Sequence, residues 1–215
     1  MIKIGEYSDL YLKQYVEKVL TKNGGEESSI PFQNFRKRSE HCWRVMRWCK
    51  EIIEREELTS VNSVEILFSA MFHDIGYNSL GIPHEEFGVE LFEDFLKNHF
   101  LAPELAKRIE YNIAHHSGKR LKIPNNISVE LIILMEADML DEEGIMGVVS
   151  DCLSEGMKGC LCNGYLGAYE RICQYASEIL DISPMITPYA AACWEKKQKD
   201  VRHIIEGLKK ELFIY

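Results

Sequence analysis

Apolar residues recur along this chain at the spacing of an amphipathic helix. The clearest run places four of them at i, i+3, i+4 and i+7, namely Val64, Leu67, Phe68 and Met71. Asn62, three residues before Glu65, predicts the start of this helix, and Gly76 predicts its end. His73 and Asp74 then stand at the C-terminal tip, where the helix dipole favours a bound cation.

Helical spacing continues from Leu10 to Leu212, and no segment alternates convincingly with period two. The predicted helices span residues 8–22, 34–57, 63–75, 84–98, 103–118, 127–141, 142–153, 165–180 and 187–212. This pattern predicts an all-α fold, a compact orthogonal helical bundle. We expect a single domain over residues 1–215, with a core of about 35–150 and a C-terminal helical extension of about 160–212.

Several of the predicted apolar faces carry a titratable residue. His41 shares its face with three apolar residues, and His84 and His116 lie on the apolar faces of two further helices. A single histidine in such a place is more often a core residue satisfied by a backbone carbonyl. Asp138 also lies on an apolar face, where a carboxylate without a partner would cost several kcal/mol. These positions therefore indicate polar partners inside the bundle.

The 215 residues are 46% hydrophobic and 27% charged, with a net charge of −9. This balance is ordinary for a globular protein and argues against a broad nucleic-acid-binding surface. The chain lacks both a run of 18 apolar residues and a signal-peptide pattern, so we expect a cytoplasmic protein without a membrane span. None of the seven cysteines forms a C-x-x-C pair, and we expect them to be reduced and mostly buried.

Four residues from three predicted helices form a candidate metal site: His41, His73, Asp74 and Asp138. Two imidazoles and two carboxylates suit a divalent transition metal or Mg²⁺. Further imidazoles on two other helices could build a second site nearby: His84, His115 and His116. We therefore expect one or two divalent ions, with Mn, Fe, Mg, Co and Ni all left open.

The order of these residues resembles the HD-domain superfamily of metal-dependent phosphohydrolases. The family pattern is a histidine, a His-Asp pair and a distant aspartate on an all-helical core, here His41, His73-Asp74 and Asp138. Four stretches are similar to further motifs of the superfamily: His84–Gly88 (H-x-x-x-G), Ile113–Ser117 (I-x-x-H-S/T), Glu136–Asp141 (D-A-D-x-L-D) and Met185–Thr187 (M-x-T). Glu136 replaces the first aspartate of its motif. The resemblance covers about residues 35–210.

The resemblance implies hydrolysis of a phosphate ester or phosphoanhydride, commonly in a nucleotide, through a metal-activated water. It implies a small phosphorylated substrate and leaves the oligomeric state open. Asp74 is the expected catalytic residue and could bridge two ions. Asp141 is a second catalytic candidate, which would orient a ligand or handle a proton; the alternative is a solvated acid on the helix surface.

Three basic residues are candidate phosphate contacts: Arg44, Lys119 and Arg120. For each of them, a plain surface charge is the alternative interpretation. Tyr77 stands where some members of the superfamily carry a catalytic acid three residues after the His-Asp pair. The catalytic step that this acid performs in those members is therefore not implied for this chain.

Two other functions fit the same ligands. A branch of the superfamily that includes inositol oxygenase uses a di-iron centre, and the histidines here would serve iron as well as manganese. The other alternative is a nucleotide-binding or regulatory module in which a metal only stabilises the bundle. The seven candidate ligands and the nearby basic residues favour catalysis over the second alternative.

Overall fold

The computed structural model describes residues 9–28, 33–118, 127–175 and 183–213. Within these ranges the chain forms nine α-helices and two 3-10 turns, and the only bridge between extended residues joins Glu27 to Lys37. The helices are α1 (Asp9–Asn23), α2 (Arg38–Arg55), α3 (Ser63–Phe72), α4 (His84–Leu96), α5 (Pro103–His115), α6 (Val129–Glu142), α7 (Ile145–Gly156), α8 (Gly164–Tyr175) and α9 (Pro188–Leu212). The all-α prediction is confirmed.

Local sequence signals fix several helix ends. The Asn62 side chain accepts a hydrogen bond of 3.1 Å from the Glu65 N–H, which caps α3 as predicted. Pro103 and Pro188 lie in the first turns of α5 and α9, where a missing N–H costs nothing. No helix in the described ranges is long and apolar enough to span a bilayer.

The main core lies where α1, α3 and α4 bring aromatic side chains together. The Phe72 ring centroid lies 5.1 Å from that of Phe92 and 4.9 Å from that of Phe95, in edge-to-face geometry. Tyr15 of α1 packs against Phe95 at 4.9 Å. Burial of each such ring contributes about 1.5–3 kcal/mol, so this cluster holds the last turn of α3 in place.

The buried face of α1 agrees only in part with its sequence pattern. The pattern predicts a rough stripe of Leu10, Tyr11, Tyr15, Val16 and Val19, but Leu10 is 57% exposed, and the buried residues of α1 are Leu12, Val16 and Leu20. These three fall at i, i+4 and i+8, and Tyr15 and Val19 pack against the core beside them, partly buried. Tyr11 instead lies at its margin, with its hydroxyl 2.9 Å from a ring nitrogen of His99.

Gly76 has a different role from the predicted helix stop. The helix α3 ends at Phe72, and the chain continues through a turn that contains Gly76. A Cβ atom on Gly76 would lie 1.9 Å from the carbonyl oxygen of His84 and 2.4 Å from the backbone nitrogen of Gly88. Only glycine therefore allows the first turn of α4 to approach the turn after α3 so closely.

Glu136 ties α6 to the start of α9. Its buried carboxylate accepts hydrogen bonds from the Thr187 N–H at 2.8 Å and the Thr187 hydroxyl at 2.6 Å. It also accepts one from the Ile186 N–H. These hydrogen bonds join two stretches that lie far apart in the sequence, Glu136–Asp141 and Met185–Thr187.

The second half of the chain adds a smaller core. Val148, Ile172 and Val201 from α7, α8 and α9 are buried together, while Ala190 and Trp194 at the start of α9 belong to the main core. The helix α9 therefore contacts both groups of buried residues. The division into core and extension stays a prediction.

The prediction that the cysteines are mostly buried is wrong. All seven are free thiols, but only Cys42 and Cys49 are buried, whereas Cys152 and Cys160 are exposed. The apolar surroundings of a cysteine in the sequence do not show which side of its helix it occupies.

Replacing Gly76 with alanine should destabilise the protein by roughly 3 kcal/mol, because the added Cβ collides with backbone atoms that cannot rotate away. Gly207→Ala is the matched control: no atom lies within 4 Å of a Cβ there, and the residue is inside α9. The control should stabilise by about 1 kcal/mol through helix propensity. Urea unfolding measures both, and equal effects of the two substitutions would contradict the close approach.

Candidate metal centre

The N-terminal half of α2 presents three polar side chains toward the middle of the bundle. Arg38, His41 and Arg44 are spaced three residues apart, so they lie along one side of the helix. His41 is buried, and its Nδ1–H donates to Asp141 over 2.8 Å. This bond directs the Nε2 atom of His41 into the bundle.

His73 directly follows α3 and is fully buried. Its Nδ1–H donates to the carbonyl oxygen of Ala70 over 2.7 Å, which fixes the ring and leaves Nε2 on the opposite side. That Nε2 lies 3.3 Å from Nε2 of His41. The structure thus brings these two predicted ligands together at the C-terminal end of α3, the end whose dipole favours a cation.

A second pair of imidazoles lies on the other side of Asp74. Nε2 of His84, at the start of α4, is 3.4 Å from Nε2 of His116, which follows α5. The His116 Nδ1–H donates to the Ile113 carbonyl over 2.8 Å, so its Nε2 also faces inward.

Asp74 is the buried carboxylate between the two pairs. Its Oδ1 lies 3.2 Å from Nε2 of His116 and 3.8 Å from Nε2 of His84. Its Oδ2 accepts a hydrogen bond of 3.1 Å from Arg38 and lies 3.7 Å from Nε2 of His41. One carboxylate therefore reaches both groups of imidazoles.

Asp138, on the buried face of α6, completes the cluster. Its Oδ1 lies 3.1 Å from Nε2 of His41, and its Oδ2 lies 4.0 Å from Nε2 of His73. Asp138, which the sequence pattern places on an apolar face, thus has His41 and His73 as its partners. These are two of the residues predicted to bind a metal together with it. The cost of burying it is offset by these contacts.

Burial and hydrogen bonds set the ionisation of the cluster. Burial acts to lower the pKa of His41, but hydrogen bonds to Asp138 and Asp141 outweigh it and raise this pKa to about 10. Burial lowers the pKa of His73 to about 4. Burial acts to raise the pKa of Asp74, but the neighbouring His73 and Arg38 hold it well below its usual range. His73 and Asp74 are therefore in the forms that bind metals, whereas His41 must lose its Nε2 proton when a metal binds.

The donor set fits a divalent metal. Two nitrogens that bind one ion at about 2.1 Å with tetrahedral or octahedral angles stand roughly 3.0–3.4 Å apart. The two Nε2 pairs have this spacing, at 3.3 and 3.4 Å. Four groups of residues have ligand atoms within 4.8 Å of one another: His41 with His73 and Asp74; His73 with His116 and Asp138; Asp74 with His84 and His116; and His41 with Asp138 and Glu142.

Asp141 is buried, so its interpretation as a solvated helix acid is wrong. It accepts the His41 Nδ1–H, and it accepts two hydrogen bonds from Arg44, from Nε at 2.8 Å and from Nη2 at 3.0 Å. Burial acts to raise the pKa of Asp141, but these bonds from His41 and Arg44 lower it. Arg44, predicted as a phosphate contact, commits two donors to this acid and helps to orient His41 through it.

His115 is not brought into the cluster, which corrects the prediction that it adds a ligand. It is exposed, its Nδ1–H donates to the Tyr111 carbonyl over 2.7 Å, and its ring stacks on that of Tyr111. Adjacent helix positions are about 100° apart, so His116 faces inward and His115 faces outward. The other two predicted phosphate contacts, Lys119 and Arg120, lie outside the described residues.

Sequence reasoning missed Arg38 and the stack that it forms. The Arg38 guanidinium lies 3.7 Å from the ring centroid of Tyr77, and the opposite face of that ring stacks on His84 at 4.3 Å. Burial raises the pKa of Tyr77 to about 12, so its phenol is neutral. The signal that could have identified Arg38 is its position three residues before His41, on the same side of α2.

Comparisons with known proteins agree with this geometry. Residues 38–143 match the family model of the HD domain. An HD-superfamily hydrolase from Bacillus thuringiensis superposes with a TM-score of 0.68 at 21% identity, over 96% of this chain and 97% of that chain. YpgQ from Bacillus subtilis, solved in complex with ADP, gives 0.64 at 21% identity, over 94% of each chain. Lin1889 from Listeria innocua gives 0.63 at 18% identity, over 97% and 99%. A search of curated proteins found no significant match.

The helical bundle and its buried histidine–aspartate clusters define an all-α protein whose residues could hold a divalent metal. The family match falls on α2 to α6, the segment that supplies all these clusters, and the fold over nearly the whole chain is that of HD-superfamily hydrolases. Residues 38–143 of this chain form an HD domain.

Asp141→Asn should weaken metal binding about 10- to 100-fold, because the second partner of a ligating histidine orients its ring and raises its basicity. Calorimetric titration of the metal-free protein with Mn²⁺ measures the affinity. Asp151→Asn is the control: Asp151 is a buried acid that pairs with Arg171 over 3.0 Å, away from the cluster. Unchanged affinity in Asp141→Asn would show that His41 is oriented without Asp141.

His116→Gln should lower the metal content of the purified protein, whereas His115→Gln should leave it unchanged. The two residues are neighbours in the chain, but only His116 has its Nε2 atom near Asp74. Elemental analysis of both variants separates them. Equal losses would mean that His115 turns inward when a metal binds.

Proposed function

We propose that this protein is a metal-dependent phosphohydrolase that cleaves a phosphate ester or phosphoanhydride bond in a small phosphorylated compound, with nucleotides as the favoured class. The observation that carries this proposal is the arrangement around Asp74, with a pair of inward-facing imidazole Nε2 atoms on each side of one ionised carboxylate. A structural metal site is usually saturated by protein ligands, whereas a catalytic site keeps positions open.

In this proposal, His41, His73, Asp74 and Asp138 hold one divalent ion. His84 and His116 hold a second ion, with Asp74 shared between them. A divalent metal in such a site acts as a Lewis acid and lowers the pKa of a bound water toward neutrality. The spacing of the ligand nitrogens supports this division, because each Nε2 pair is close enough to share an ion.

The residues around the ligands would bind and orient the substrate. Arg38 commits one N–H to Asp74, and its other guanidinium donors remain close enough to the centre to contact phosphoryl oxygens. Asp141 keeps Nδ1 of His41 protonated, so that Nε2 stays directed at the centre. The Tyr77 ring packs against the Arg38 guanidinium and the His84 imidazole and helps to hold both groups in place. Because its phenol stays protonated at neutral pH, we assign Tyr77 no role as a general base.

Nucleotides are the first compounds to test because YpgQ, which shares this fold, was solved in complex with ADP.

A di-iron oxygenase remains the second candidate, since four imidazoles and two carboxylates suit iron as well as manganese. The decisive experiment is a panel of nucleotides and phosphate esters with Mn²⁺, Mg²⁺, Co²⁺ or Fe²⁺, with phosphate release and O₂ consumption measured in parallel. O₂ consumption without phosphate release would favour the oxygenase.

Asp74→Ala should abolish phosphate release and lower the metal content, because Asp74 is the carboxylate that both imidazole pairs approach. The variant should still be helical, since the substitution removes no apolar packing. Activity, elemental analysis and far-UV circular dichroism test this together. A folded variant with full metal and full activity would show that the assignment is wrong.

The wild-type protein should bind two equivalents of metal per chain, and the double substitution His84→Ala with His116→Ala should bind about one. The pair at His84 and His116 would then be the second site. Equilibrium dialysis against Mn²⁺ gives both stoichiometries. One equivalent in both proteins would indicate a mononuclear centre, with these two histidines reassigned to substrate binding.

A further inference from the structure

A cleft opens at His41 and runs between the N-terminal part of α2 and the outer face of α7. One of its walls is apolar and comes from Met146, Val149 and Leu153, at i, i+3 and i+7 of α7. Phe35, just before α2, contributes a further apolar side chain. A groove with an apolar side therefore reaches the metal centre at His41, the proposed ligand among its lining residues.

Most apolar side chains of α7 are exposed, and Val148 is the one that is buried. Met146, Val149 and Leu153 are 47%, 45% and 46% exposed. Two acids of the same helix, Asp151 and Glu155, are buried against the rest of the molecule. Helices normally turn apolar side chains inward and acids outward, so an exposed apolar row indicates a surface that binds something.

The opposite wall carries charges that are already matched. Arg36 pairs with Glu142 over 3.1 Å, and Arg44 is held by Asp141. Away from the metal centre, the groove therefore offers little net charge to a ligand. A group that lies against α7 gains most if it is apolar and uncharged, because it covers exposed apolar surface there.

We propose that the apolar face of α7 binds the uncharged organic part of the substrate, a planar nucleobase in the favoured class, while the phosphoryl group reaches the centre at His41. Flat aromatic rings pack well on branched aliphatic side chains, and Met146 adds a polarisable thioether. The continuity of the groove with the metal centre supports this ligand. The inference rests on the proposed phosphohydrolase function and adds to it the surface that recognises the organic group.

The test uses two probes that cannot be hydrolysed and that differ only in the adenosine group: α,β-methylene-ADP and methylenediphosphonate. Both are titrated into the full-length protein in the presence of Mn²⁺, and the dissociation constants are compared. The wild type should bind α,β-methylene-ADP at least about tenfold more tightly, because adenosine covers the apolar face of α7.

The variant is the double substitution Val149→Gln with Leu153→Gln, which keeps the net charge and uses a good helix former at exposed positions. It should lose most of the preference for α,β-methylene-ADP and bind methylenediphosphonate as the wild type does. Ile145→Gln is the matched control: Ile145 is 50% exposed on the same helix but does not line the groove. The control should change neither dissociation constant.

The outcomes separate this inference from the function on which it rests. Binding of methylenediphosphonate without any gain from adenosine would overturn the inference and leave the phosphohydrolase proposal standing. Failure of the wild type to bind either probe with Mn²⁺ would count against both. Light scattering tests the rival occupant, a second copy of the chain: an oligomeric wild type that becomes monomeric in the double variant would make this face an interface and overturn the inference.

Discussion

The metal centre depends on a single buried carboxylate, Asp74. An ionised carboxylate removed from water is costly unless donors and opposite charges surround it. Here the donors come from two directions: Arg38 on α2 and His116 after α5. Asp74 is the carboxylate that lies within 4 Å of an imidazole Nε2 atom in both pairs. Its position therefore links the two pairs into one cluster, although other groups orient the individual rings.

A backbone contact makes that position possible. The turn that carries Asp74 approaches the first turn of α4 so closely that Gly76 has room for no side chain. Gly88 lies across the same contact, with Ile113 of α5 3.0 Å from where its Cβ would be. This packing places His84 and His116 beside Asp74. The H-x-x-x-G spacing thus joins a ligand and the glycine that lets its helix approach.

The sequence predicted the features that follow from periodicity. An imidazole on an apolar stripe must face the core, so the inward positions of His41, His84 and His116 could be predicted from spacing alone. The role of Arg38 was not predicted, because an arginine at a helix start is ordinarily a surface charge, although its spacing from His41 places it on the same side of α2. The hydrogen bonds from Thr187 to Glu136 could not be predicted either. The two residues lie 51 positions apart, and hydrogen bonds over such distances leave no local sequence pattern. The buried row of α1 depends on how its neighbours pack.

The charged residues of α2 would affect how strongly the proposed metal site attracts a phosphorylated substrate. The protein carries a net charge of −9, and its overall field repels a phosphate group. Arg38 and Arg44 lie beside the centre, but each is paired with an acid, Asp74 or Asp141, so their charge is largely cancelled. A cation bound among the acids would change this balance, because the same two guanidinium groups would then lie beside a neutralised cluster and attract phosphate. For the proposed phosphorylated substrate, affinity would then depend on the metal, and the two arginines, already held in place by their acids, would lose little entropy when a phosphate binds.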